Sequence, residues 1–218
     1  MMLSYKSDFP NQVHQINVSI SQNYYLLKDE TIKWQEKKFD INWKNFTKSS
    51  KRHLVTYIIR DHYSSCFFAE LHPIDKLPEI EEFLFNAWSV KDDYEFRGIG
   101  HSNIIPQSTL DQFPKLTNFF KRAKDIHLQL PTSGFSSAVR SIREWEHQLK
   151  FVTSIIGDTD KLAGFQQHTN YINRFINNQY DREDSNLKKW ALNQPKLILP
   201  KDKESFFNYF KPLQDDKV

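Results

Sequence analysis

VHQINVSI, residues 13–20, sets Ile16, Val18 and Ile20 on one side of an extended chain and Gln15, Asn17 and Ser19 on the other. Successive strand side chains point to opposite faces, so the segment predicts a strand over 13–20 with one apolar face. Working outward, LVTYIIR (54–60) and SCFFAEL (65–71) are β-rich runs joined by the polar link Asp61-His62-Tyr63-Ser64, which predicts an antiparallel hairpin. Between these and the first strand, residues 28–52 are polar and without a sustained period. They read as a long excursion with a short ordered piece around Phe39–Trp43.

Downstream the period changes. Pro78 stands at a first helical position, and Ile80, Phe83, Leu84, Ala87 and Trp88 form a helical stripe, giving a helix over 78–89. Asn103-Ile104-Ile105 before Pro106 predicts a strand over 102–105. Phe113, Leu116, Phe119, Phe120 and Ala123 predict a helix over 112–123, and Ile126, Leu128 and Leu130 a strand over 126–130. Ala138, Val139, Ile142, Trp145, Leu149 and Val152 recur every three or four residues and predict a long helix over 136–152. Trp88 and Trp145 lie on these stripes and are expected in the core. The order is three strands, a helix, then strand, helix, strand, helix, in a core over 1–155; residues 156–218 read as a helical or irregular C-terminal extension.

Composition narrows the function classes. The 218 residues are 39% hydrophobic and 15% aromatic, enough for a sizeable core, and the mean hydropathy is −0.67. No run approaches the ~18 apolar residues of a membrane span, so no membrane partner is expected. The first ten residues carry Lys6 and Asp8 without an apolar stretch, which points to the cytoplasm. Cys66 is the one cysteine, excluding a disulfide framework within the chain and a cysteine-based zinc site. Eight histidines are scattered without metal-ligand spacing, GxSxG is absent around Ser133-Gly134-Phe135-Ser136, and no glycine-rich phosphate loop occurs. The net charge of +3 permits a nucleic-acid partner without requiring one.

This order resembles the ribonuclease-H-like α/β plan, a mixed five-stranded sheet flanked by helices, of DDE-type transposase and integrase catalytic cores. VHQINVSISQNYYLL (13–27) resembles their first strand, in which His-Gln-Ile-Asp is followed two residues later by Ser or Thr. IIRDHYSS (58–65) resembles their second-strand ending, FLFNAWSVKDDYEFRGI (83–99) the first helix and the glycine opening the fourth strand, and PTSGFSSAVRSIREWEHQLKF (131–151) the loop and final helix. Together these segments lie within residues 13–152.

The resemblance implies a chemistry. In that family three carboxylates hold two divalent metal ions, one activating the attacking oxygen and one stabilising the leaving oxygen. Here the family positions fall at Asn17, at Pro106, which has Gln107 and Ser108 beside it, and between Phe135 and Glu144, with Glu144 the acid available. The resemblance therefore implies a degenerate, catalytically inactive core, with no cofactor, that works in DNA binding or transposition alongside DNA and other transposition proteins. Its implied phosphate-reaching residues are Lys48, Lys51, Arg52, Lys121, Arg122, Lys124, Arg140 and Arg143; on charge alone these would be a solvated surface. One alternative is an active Mg²⁺-dependent strand-transfer enzyme with displaced acids, Asp40 in a strand over 38–43 and Asp111 after the fourth strand. Another is an interaction protein without a nucleic-acid role. Asp61 reads as a hairpin-turn cap acting through its own side chain.

Overall fold

Ile16, Val18 and Ile20 of the first strand pack into one apolar core, whereas Tyr24 and Leu26, equally even-numbered and in the same strand, pack into the other. The computed structural model, which describes residues 7–40, 43, 51–131, 139–156, 160–179, 184–192 and 197–213, shows why. Between the pairs Ile20↔Val55 and Tyr25↔His53, strand β1 (Val13–Leu26) advances five residues while its neighbour β3 (Arg52–Asp61) retreats two. An odd surplus on one strand turns its later side chains to the opposite face. The irregularity is held locally: the Ser21 hydroxyl accepts from the Tyr24 N–H at 3.0 Å.

Among the described residues one open, mixed sheet of six strands forms, in the order β4-β3-β1-β5-β6 with β2 (Ile32–Trp34) pairing β1 off that path. β4 is Phe67–Pro73, β5 Ser102–Ile104 and β6 His127–Gln129. β1 runs antiparallel to β3 and parallel to β5, β3 is antiparallel to β4, and β5 is parallel to β6. The expectation of five strands is corrected to six, because part of the polar excursion folds back on the extended end of β1: Leu26 pairs with Ile32 and Tyr24 with Trp34. The first strand likewise continues past residue 20 to Leu26.

Helices cover both faces. α1 (Ile80–Trp88), α2 (Gln107–Gln112) and α3 (Lys115–Arg122) lie on one side with α7 (Asn186–Leu192) and α8 (Lys203–Asn208); Trp88, Phe119, Trp190 and Phe206 meet Ile16, Val18 and Tyr57 there. α4 (Val139–Ile155), α5 (Leu162–Gln167) and α6 (Thr169–Asn178) cover the other, where Trp145, Leu149, Phe165 and Ile172 meet Leu54, Ile58 and Ala69. Helices from beyond residue 156 thus contribute to both cores. The helix expected over 112–123 is α3, which begins only after Pro114 at its N-cap, since proline lacks the N–H that a continuing helix would bond; α2, the short helix before it, was not expected. Trp88 and Trp145 are fully buried.

The exposed edge of β4 is closed by side-chain amides of α6. Asn177 accepts from the Phe67 N–H at 3.1 Å and donates to the Phe67 carbonyl at 2.9 Å, and Asn173 donates to the Ala69 carbonyl at 2.8 Å. An edge strand so occupied presents fewer unpaired groups to another chain.

Candidate functional site

The sheet face beneath α4 carries the residues that bear on chemistry. β3 residues Thr56, Ile58 and Arg60 turn toward it: Ile58 packs in the α4 core, Thr56 bonds Glu146, and Arg60 bonds Gln15 of β1. β5 ends at Ile104, so α2 comes to stand beside the middle of β1. There the Thr109 hydroxyl donates to Asn17 Oδ1 at 3.3 Å, and Pro106 caps α2, its carbonyl accepting from the Thr109 N–H at 2.9 Å. The fold thus brings Asn17 and Pro106 into one neighbourhood. Asn17 is 5% exposed and supplies a neutral amide, and Pro106 supplies no side-chain donor atom to a metal. Glu144 is exposed on α4.

This donor set does not fit two divalent cations, whose mutual repulsion calls for several carboxylates. The Arg60 guanidinium stands instead on that face, donating to Gln15 Oε1 at 2.7 Å, two residues from Asn17, and to Ser65 Oγ at 2.6 Å. Among the described residues no cluster of three His, Cys, Asp or Glu side chains is placed to hold a metal. For the displaced acids, residues 38–40 form no strand, positions 41–42 lie outside the described residues, and Asp111 is exposed on α2, accepting from Gln107 at 2.8 Å.

Sequence reasoning missed the carboxylate that α4 does bury. Glu146 is 2% exposed and accepts from the Thr56 hydroxyl at 2.6 Å; the Ser21 hydroxyl and Gln22 N–H of the β1 irregularity also reach it. Burial outweighs these donors and pushes its carboxyl up to about 7. The signal was present: Glu146 falls four residues after Ile142 and three before Leu149, inside the apolar stripe rather than opposite it.

Of the eight basic positions, the seven described do not form one surface. Lys48 lies outside the described residues. Lys51 places its ammonium 4.0 Å from the Tyr25 ring centre, and Arg52 pairs with Glu30 at 2.6 Å and Asp75 at 3.0 Å. Lys121 and Arg122 end α3, where Arg122 donates to the Asn208 and Pro212 carbonyls; Lys124 lines a groove beside them. Arg52 and Arg60 stand at opposite ends of β3, about 26 Å apart at ~3.3 Å per residue. Arg140 shares a cleft with Arg60 and Lys189, and exposed Arg143 follows one turn along α4. Neither Arg60 nor Lys189 was among the residues the sequence singled out.

Asp61 is fully buried. Its carboxylate accepts from the Ser64 N–H at 2.7 Å, the Ser64 hydroxyl at 2.6 Å and the Asn11 N–H at 2.8 Å, the geometry of a turn cap. Asn11, with φ of 62°, passes the network on: its Oδ1 meets His14 Nε2 at 2.8 Å and accepts from the Trp190 indole at 3.2 Å. The Trp88 indole donates to His14 Nδ1 at 3.2 Å, so the neutral imidazole carries its proton on Nε2. Burial pulls that ring down to about 3.

No protein-family model matches the chain, and no curated protein matches it.

Proposed function

We propose that the chain is a non-catalytic, DNA-binding relative of transposase and integrase cores, built on the ribonuclease-H-like plan. Support for the plan comes from the strand order β4-β3-β1-β5-β6, antiparallel on one side of β1 and parallel on the other, with helices following β4, β5 and β6. The observation that carries the functional reading is the exchange of charge on the α4 face. On that resemblance Asn17 and Pro106 fall where the family places acids, while Arg60, bonded to Gln15 two residues before Asn17, and exposed Arg140 and Arg143 of α4 bring positive charge to the same side of the sheet. Such a face attracts phosphate and repels divalent cations.

The test is a mobility-shift titration of duplex DNA at several salt concentrations. Arg140→Glu with Arg143→Glu is expected to weaken binding on all sequences alike and to flatten the salt slope, since phosphate contacts carry no sequence information. With Mg²⁺ or Mn²⁺ the protein is expected neither to nick DNA nor to join strands. Cleavage lost on Asp40→Ala or Asp111→Ala would establish the active-enzyme reading instead. A second reading, an interaction protein without a nucleic-acid role, draws on the apolar groove where Ile155 is 68% and Tyr171 55% exposed. It is adopted if DNA binding is absent and the charge reversals change nothing.

A further inference from the structure

Between the β3–β4 turn, α4 and α7 lies a cleft of about 410 Å³. Three cations, Arg60, Arg140 and Lys189, line it against one carboxylate, Glu144, among the described residues. They come from three elements distant in sequence, so no local charge run explains their meeting. Ser65 accepts from Arg60 at 2.6 Å, which leaves its own hydroxyl proton to donate into the cleft. Gln148 lines the wall with a buried Oε1 that has no hydrogen-bond partner among the described residues. Tyr63, 37% exposed, stands at the rim.

We propose that this cleft binds a phosphate monoester carried on a nucleoside, either a free mononucleotide or the 5′-phosphorylated end of a nucleic-acid strand. A monoester carries a charge of about −1.5 to −2 at pH 7, and a backbone diester only about −1. The surplus of cations over Glu144 therefore favours the monoester. A volume of this size is that of a small-ligand pocket; it admits a terminal group and not a passing duplex. Arg140 offers a planar fork to two phosphate oxygens and Lys189 a point charge, while the Tyr63 ring offers a face for the attached base. Gln148 Oε1 accepts from a hydroxyl or amino group of the nucleoside. The strand-end form rests on the DNA-binding reading; the mononucleotide form does not.

The experiment measures fluorescence polarisation of a 3′-labelled eight-nucleotide single strand bearing either a 5′-phosphate or a 5′-hydroxyl, with AMP and adenosine as competitors and calorimetric titration of AMP alone. The 5′-phosphate strand is expected to bind about ten-fold more tightly. That advantage should shrink below pH 6 as the monoester takes up a proton, and AMP should displace the strand where adenosine does not. Lys189→Glu should abolish the advantage while thermal melting shows an intact fold, and Lys189→Arg should retain it. Equal affinity for both strands together with no calorimetric binding of AMP overturns the cleft proposal and leaves the DNA reading standing. Binding of AMP with neither strand bound overturns the strand-end form and upholds the cleft as a mononucleotide site.

Discussion

Glu146→Gln should leave stability at pH 5 almost unchanged and raise it at pH 8. The Glu146 carboxyl is 2% exposed, and burial against Thr56 and the β1 irregularity moves it from 4.5 to about 7. A carboxyl whose folded pKa exceeds its unfolded one costs nothing below about pH 4.5. Stability then falls as pH rises, because the unfolded chain gives up a proton that the folded protein still holds, and the loss is complete above about pH 7. At about 1.4 kcal/mol per pH unit that interval amounts to about 3 kcal/mol. Glutamine keeps a carbonyl oxygen for the Thr56 hydroxyl and does not ionise. Urea unfolding at pH 5, 6, 7 and 8 should show the variant drawing ahead across this range. In thermal melts the advantage at pH 8 should reach roughly 6–12 °C, taking ~2–4 °C per kcal/mol for a chain of this size. A difference that does not vary with pH, or a variant less stable than the parent at pH 8, would refute the reasoning.

His14 works in the opposite sense. Its folded pKa of about 3 lies below the ordinary 6.5, so its stabilising contribution is intact above pH 6.5 and drains away toward pH 3, by about 5 kcal/mol in full; nitrogen NMR should find Nδ1 unprotonated in the folded protein at pH 5, and an imidazole titrating near 6.5 would contradict this. Gly100→Ala should cost about 1–3 kcal/mol of unfolding free energy, because the new Cβ would lie 2.7 Å from His14 Cγ and 2.9 Å from its Cβ. Asn177→Ala strands the Phe67 N–H and removes a donor to its carbonyl, at about 2–3 kcal/mol in denaturant unfolding, while exposed Asn178→Ala should stay within about 0.5 kcal/mol.

The elements that were legible in the chain are those whose period and burial coincide. The stripes Ile80-Phe83-Leu84-Ala87-Trp88 and Ile142-Trp145-Leu149-Val152 face single cores, and the helices follow from them. The 54–60 and 65–71 runs pair as a hairpin in which Ile58 meets Ala69. What escaped was non-periodic. The surplus residues after Ile20 leave no mark in an even-numbered apolar pattern that continues through Tyr24 and Leu26, although the face has changed. β2 escaped because Ile32–Trp34 is only three residues long, too short to display a period, although its two half-buried side chains, Ile32 and Trp34, pack at the rim of the second core.

The site divides along the same line. Positive charge in a sequence has no address: Arg52 and Arg60 belong to one strand, yet the first is bound to Glu30 and Asp75 at one end and the second opens into the α4 cleft at the other. Strand parity does supply an address. Arg60 shares its face with Thr56 and Ile58, so the strand that places Ile58 under Trp145 necessarily places a guanidinium under the first turn of α4. A cation held there by Gln15 and Ser65 is fixed in position, and a fixed positive charge disfavours a divalent ion nearby at every pH at which arginine stays protonated. On the proposed reading, restoring Asp at positions 17 and 106 would therefore leave metal binding weak until Arg60 is also neutralised. Calorimetric Mn²⁺ titration of Asn17→Asp with Pro106→Asp, with and without Arg60→Gln, checks this, and tight Mn²⁺ binding with Arg60 still in place would show that the guanidinium does not guard the face.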